Sequence, residues 1–166
     1  EKTIENAIID ILIASEGRVI TSMEILSEDN VRKAIIHPLS MISSNGSGYS
    51  ALHSATGELV HPRNFGTFIK VLLKYVSKEK ILTWEEAIWK MAGFPGEKFG
   101  IKKRGKILQG FYADISVIDP LNLESEASKE NPYQYSKGVD FLLINGKVVL
   151  DNGRYLGNRF GEIIKR

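Results

Sequence analysis

Apolar positions recur at helical spacing through the first part of the chain and then change to the alternation of strands. Thr3 can cap a helix carrying Ile4, Ala7, Ile8, Ile11 and Leu12 on one face, with Gly17 as its natural stop. Arg18 to Met23 reads as a short strand. Ser27, followed by Glu28 and Asp29 where a helix start favours negative charge, opens a second helix through Val31, Ala34, Ile35 and Ile36, which His37-Pro38 ends. Leu39, Met41 and Ile42 then form a short apolar run that gives way abruptly to Ser43-Ser44-Asn45-Gly46-Ser47-Gly48. A buried parallel strand reads this way where it emerges into a functional loop, at the carboxyl end where α/β folds place their chemistry. The order helix, strand, helix, strand is what a βα-repeat barrel produces when cut into late in its sequence.

Residues 49–64 form a loop too long and too polar for a simple connector, the kind that binds something or stays disordered. Thr67 begins a helix with Phe68, Val71, Leu72, Tyr75 and Val76 on one stripe. Thr83-Trp84-Glu85-Glu86 is a capping box whose helix presents Trp84, Ala87, Ile88 and Met91; Gly93 and Pro95 close it, and one more turn runs from Pro95 to Phe99. From Ile101 the period alternates: Asp114 to Ile118 is a strand ended by Asp119-Pro120, and 139–144 and 147–150 flank Asn145-Gly146, a strong hairpin signal. A second turn follows at Asp151-Asn152-Gly153-Arg154, and 161–166 is a tail. The change of period places a boundary near Gly100, dividing 1–100 from 101–166.

A chain of 166 residues is long enough for one domain with a real core or for two small ones. A complete eight-stranded barrel takes about 250 residues, so a barrel reading makes this chain only part of one. The net charge of +2, from 22 basic and 20 acidic residues without a basic run, argues against a nucleic-acid partner. No apolar segment approaches the roughly 20 residues needed to cross a bilayer, and the charged Glu1-Lys2 start is unlike a signal peptide, so no membrane partner and a cytoplasmic location are expected. The lack of cysteine removes disulfides, thiolate nucleophiles and zinc-thiolate sites together.

The three histidines show no His-x-His or His-x-x-x-His spacing, so a self-contained zinc site is not expected. His37, before a proline at a helix end, reads as a cap on the last carbonyls, and His53 in the polar loop as a solvated side chain. Ser43, Ser44 and Ser47 lack a Gly-x-Ser-x-Gly elbow, and Gly46-Ser47-Gly48 lacks the lysine of a phosphate loop. Trp84, Trp89, Phe94 and Phe99 are read as core. Ser44-Asn45-Gly46 alone is a tight turn that uses asparagine's tolerance of positive φ, and Asn45-Gly46 is also a pair prone to deamidation.

In combination, His37-Pro38-Leu39-Ser40-Met41-Ile42-Ser43-Ser44-Asn45-Gly46 and His61-Pro62-Arg63-Asn64-Phe65-Gly66-Thr67-Phe68 resemble the D-aminoacylases, the N-acyl-D-amino-acid deacylases of the amidohydrolase superfamily. That family's last barrel strand reads roughly His-Pro-x-x-Met-Ile-x-Ser-Asp-Gly and is followed by His-Pro-Arg-x-x-Gly-Thr-Phe. The likeness continues through Gly105-Lys106-Ile107, Gly110, Ala113-Asp114 and Asp119-Pro120 to the Asn145-Gly146 hairpin, a pattern similar to the β-sandwich that amidohydrolases append to their barrels. The resemblance implies an α/β fold, the C-terminal portion of a TIM-barrel metal-dependent hydrolase followed by part of a small β-sandwich domain. Residues 1–100 would be the last βα units and C-terminal helices, and 101–166 the sandwich part.

The implied activity is hydrolysis of the amide bond of N-acyl-D-amino acids by metal-activated water. The resemblance places zinc in the complete family enzyme, with its ligands upstream of this chain, so none is expected on the chain alone. Asn45 stands where the family has its catalytic aspartate, and an amide orients water but does not take its proton near neutral pH. Losing such a base costs typically about 10²–10⁴-fold. Ser44, His61 and Arg63 are the implied substrate-binding residues: the guanidinium fork of Arg63 suits the α-carboxylate of an acyl amino acid, with pinning of the loop as its alternative role. The implied partners are an N-acyl amino acid if the site is completed, and a second copy or an N-terminal half chain to cover apolar faces. The competing reading is a non-catalytic truncated or split-gene module that oligomerises or completes a partner chain.

Overall fold

A computed structural model describes residues 2–19, 21, 23 and 25–164. Helix α1 spans Ile4–Ala14, capped by Thr3 accepting from the Asn6 N–H, and ends with the Gly17 N–H on the Leu12 carbonyl at 2.8 Å. Of the expected strand over 18–23, Ile20 and Ser22 lie outside the described residues, and the other four carry no strand. Helix α2 spans Glu28–Ile36 under a Ser27 cap, and a 3-10 turn at Ala51–Thr56 interrupts the long loop.

Helix α3 spans Arg63–Val71 and continues as a wide π turn through Leu72–Lys78. It starts four residues before Thr67 because Pro62, with φ −54°, sets the first turn: the N–H groups of Phe65 and Gly66 both reach its carbonyl at 3.0 Å. Proline suits a helix start, where its missing N–H has no partner to lose. Thr67 instead bonds back to the Arg63 carbonyl at 2.9 Å.

The Thr83 capping box closes as expected, with Thr83 Oγ1 accepting from the Glu86 N–H at 3.1 Å and Glu86 Oε2 from the Thr83 N–H at 2.8 Å. Helix α4, Trp84–Ile88, passes through a π turn at Trp89–Gly93 into helix α5, Phe94–Lys98. The chain therefore does not stop at Gly93 and Pro95. The widened turn lies just before Pro95, which brings no N–H to a regular ladder. Gly93 is needed there, since a Cβ would stand 2.3 Å from the Trp89 ring. Trp89 stacks on Phe94 at 6.0 Å and both Trp89 and Phe99 are exposed; of the four expected core aromatics, Trp84 is the one packed against the core.

Strands β1 (Ile115–Ile118), β2 (Val139–Ile144), β3 (Lys147–Asp151) and β4 (Arg154–Tyr155) form an antiparallel sheet in sequence order. Asn145 and Gly146 turn the β2–β3 hairpin at φ +52° and +75°, as a primed turn requires. Asp114, expected to open β1, instead anchors this hairpin: its Oδ1 accepts from the Asn145 N–H at 2.8 Å and its carboxylate pairs with Arg104.

The core gathers Ile35 of α2, Ile69 and Val71 of α3, Leu72, Tyr75 and Val76 of the π turn, Leu82, Ala87 of α4 and Leu123. Leu72 at its centre is 1 % exposed. The expected parallel strand over 39–42 is absent: residues 40–50 carry no strand, and the sheet found among the described residues is antiparallel. A buried strand needs neighbours for its backbone groups, and here the Ile42 N–H goes to the Lys90 carbonyl at 3.1 Å. Helix α1 buries none of its residues, with Ile4 77 % exposed. No helix among the described residues is long and apolar enough to cross a membrane.

Candidate functional site

The segment after Ile42 turns at Asn45, whose φ is +46°, in the left-handed region that asparagine tolerates. Two serine hydroxyls build the turn: the Asn45 N–H donates to Ser43 Oγ at 3.3 Å and the Gly46 N–H to Ser44 Oγ at 3.1 Å. Asn64, in the first turn of α3, then fastens it by accepting from the Ser47 N–H at 2.7 Å. Gly46 has to be glycine here, because a Cβ would lie 2.5 Å from Asn64 Oδ1 and 3.1 Å from Asn64 Cα.

This fastening brings Asn45, His61 and Arg63 to one cleft of about 190 Å³, walled also by Ser47, Tyr49 and Glu58. Ser44 is not on that wall; its hydroxyl is spent on the turn. Asn64 stands directly after His61-Pro62-Arg63 in the matched segment, and that place is the sequence signal for its contact with Ser47. Among the described residues no hydrogen bond or ion pair holds the Arg63 side chain, and it is exposed. The contact that ties the turn to α3 belongs to Asn64.

His61 Nδ1 accepts from the Arg63 N–H at 3.1 Å, so the ring proton of the neutral form sits on Nε2. Burial, and then the positive charges of Arg63, Lys129 and Lys70, hold this imidazole below its ordinary 6.5. The unfolded chain thus takes up the proton at higher pH than the folded one. Stability from this group is fully present above the ordinary value and is lost as pH falls through the lower, folded-state value. Thermal unfolding followed from about pH 7.5 to 5 should therefore lose less stability in His61→Asn than in the parent; parallel curves would contradict this.

The long loop is held on its outer side. His53 stays partly exposed, with its Nε2 3.0 Å from Glu58 Oε2 and its ring 5.1 Å from Tyr49. The Tyr133 hydroxyl donates to the Glu58 carbonyl at 2.8 Å, and Phe65 meets Tyr133 and Tyr135 edge-on at 5.6 Å.

The end of α2 is capped by a residue from another helix. The His37 ring accepts from the Leu39 N–H at 3.2 Å and caps no carbonyl. Lys90, 5 % exposed, donates to the His37 carbonyl at 2.5 Å, the Ser40 carbonyl at 3.3 Å and Ser40 Oγ at 3.0 Å. Three acceptors match the three ammonium hydrogens. Its position on the apolar stripe, three residues after Ala87, was the available clue. Lys90→Met should cost about 2 kcal/mol by leaving these acceptors unmet, measured by denaturant unfolding; a change below about 0.5 kcal/mol would show the staple to be idle.

Among the described residues no three His, Cys, Asp or Glu side chains converge to hold a metal. These residues do not fit a zinc site, and no chemical step through one follows from them. What they offer is a cation for a carboxylate at Arg63, a neutral imidazole at His61, and an amide at Asn45 that both donates and accepts.

No protein-family model matches the chain. The N-acyl-D-aspartate deacylase of Alcaligenes xylosoxydans xylosoxydans is 32 % identical over 140 residues, which is 84 % of this chain and 27 % of the relative. A solved D-aminoacylase point mutant in complex with copper chloride superposes with a TM-score of 0.75 at 31 % identity, over 85 % of this chain and 28 % of the other. The N-acyl-D-glutamate deacylase of Bordetella bronchiseptica, solved with zinc and a phosphonate mimic of the tetrahedral intermediate, superposes with a TM-score of 0.66 at 31 % identity, over 78 % and 27 %. The chain thus spans about a quarter of the length of the relatives it matches. In sequence and in fold, it belongs to the D-aminoacylase family of amidohydrolases and corresponds to its C-terminal part.

Proposed function

We propose that these residues form the closing portion of an enzyme that hydrolyses the amide bond of N-acyl-D-amino acids, with residues 1–100 ending its barrel and 101–166 contributing to its β-sandwich. The cleft of Asn45, His61 and Arg63 is the part of the active site that this chain supplies. Arg63 pairs with the substrate carboxylate, neutral His61 donates from Nε2, Asn45 orients the polar group beside it, and Ser44 keeps the turn in shape. A single observation carries this reading: the residues matching the family's two motifs meet in one cleft. Zinc, present in the Bordetella relative, would be held by residues other than these.

The second reading, a non-catalytic module that oligomerises or completes a partner chain, draws on the bare apolar surface of α1. Elemental analysis and an assay with N-acetyl-D-amino acids bear on both. The purified 166 residues are expected to hold no stoichiometric zinc and to release no amino acid. Stoichiometric metal or turnover in that chain would overturn the assignment of its role. Light scattering showing a well-behaved monomer would count against the module reading.

A further inference from the structure

The dipeptide Asn-Gly occurs three times, at Asn45, Asn145 and Asn152, and the fold holds the three side chains differently. Asn145 is gripped at both ends of its amide: Oδ1 accepts from Arg104 at 2.6 Å and Nδ2 donates to the Phe160 carbonyl at 2.6 Å. Its glycine is held as well, with the Gly146 N–H on the Ala113 carbonyl at 3.0 Å. At Asn152 the hold is lighter. Nδ2 donates to Asp151 Oδ1 at 2.9 Å, and the Gly153 N–H goes to the Asp140 carbonyl at 3.0 Å. Asn45 is exposed, and among the described residues no hydrogen bond reaches its side chain. The Gly46 N–H rests on a neighbouring hydroxyl, Ser44 Oγ, rather than on a carbonyl beside or within the sheet.

These differences bear on one reaction. The backbone nitrogen of the glycine attacks Cγ of the asparagine, the amide proton and the side-chain nitrogen leave together as ammonia, and a succinimide ring closes. Water then opens the ring. Breaking the bond from the glycine nitrogen to Cγ gives aspartate, and breaking the one to the main-chain carbonyl carbon gives isoaspartate; no oxidant or reductant enters. Closing the ring requires the side-chain amide to swing toward the glycine nitrogen. Both contacts on the Asn145 amide must break first, whereas Asn45 has none to break. We propose that Asn45 is a self-modification site: in the folded chain it deamidates ahead of Asn152, with Asn145 spared, and position 45 gains a carboxylate. That this carboxylate supplies the base missing from the cleft rests on the deacylase reading. The selectivity does not, because its test reads mass and not turnover.

The purified chain is incubated in mildly alkaline buffer, folded and in parallel in guanidinium chloride, and the peptides holding the three asparagines are followed by mass spectrometry. In the folded chain Asn45 is expected to convert at least about tenfold faster than Asn145, the factor of one charge-assisted contact, with Asn152 between them. In guanidinium chloride the three rates should draw together, since only the shared dipeptide then remains. Fragmentation that tells aspartate from isoaspartate should find aspartate among the products at position 45; isoaspartate alone would overturn the link to a base. Asn45→Gln, whose longer side chain must close a larger ring, should keep its amide over the same time, and a mass gain there at the parent's rate would overturn the ring mechanism. Asn145 converting as fast as Asn45 in the folded chain, or a ratio that survives unfolding, overturns the proposal on the parent chain alone.

Discussion

Asn45→Asp is expected to raise amide hydrolysis by about 10²–10⁴-fold, the usual worth of a positioned general base. The setting is a hybrid in which this chain replaces the matching portion of the Bordetella bronchiseptica N-acyl-D-glutamate deacylase, assayed on N-acetyl-D-glutamate. The turn tolerates the change: aspartate, like asparagine, visits the left-handed region that φ +46° requires, and the bond to Ser43 Oγ is made by the backbone N–H of residue 45. Arg63, in the same cleft, favours the ionised carboxylate. The gain should fall on kcat with KM nearly unchanged, and the rate should acquire an acid limb as the carboxylate is protonated. Because Asn45-Gly46 can deamidate, peptide mass spectrometry must accompany the parent assay. A folded variant no faster than its parent would remove Asn45 from the role of a substituted base.

Leu72→Ala should cost about 2–5 kcal/mol, the range for emptying a closed aliphatic site. At about 2–4 °C per kcal/mol for a chain of this size, the melting temperature should fall by roughly 5–20 °C. Leu72 is 1 % exposed and is the meeting point of the α3 stripe with the rest of the core. It also sits where α3 passes into its wide turn. The site should feel the loss too, since α3 carries Asn64 and so the fastening of Ser47. Calorimetry giving less than about 1 kcal/mol would mean that the cluster is not packed around this residue.

Local signals carried well from sequence to structure. Thr3, Ser27 and the Thr83–Glu86 pair cap the helices they were expected to cap, because a side-chain oxygen near an orphan N–H needs no distant partner. The Asn145-Gly146 hairpin formed for the same reason. Features depending on distant parts of the chain did not. The apolar run at 39–42 has the composition of a buried strand, but no described strand pairs with it, and the Ile42 N–H goes to the Lys90 carbonyl instead. Residues 119–138 show no period, yet Leu123 enters the core and Tyr133 ties down Glu58 across 75 positions.

The candidate site divides along the same line. The two motifs named Asn45, His61 and Arg63, but the contact that joins them is made by Asn64, and the residue that steadies the approach to them is Lys90, buried from another helix. A lone lysine on an apolar stripe does not announce three acceptors lying about 50 positions away. His37 and His53 take their partners, a backbone N–H and Glu58, from the path of the loop rather than from the histidines themselves.

The zinc-to-protein ratio of the hybrid, measured on material purified by size, asks most directly whether these residues fill the family's C-terminal place. A hybrid that keeps the zinc content and the elution volume of the parent Bordetella deacylase is the predicted result. A hybrid that aggregates, or that folds without holding the metal, would contradict it.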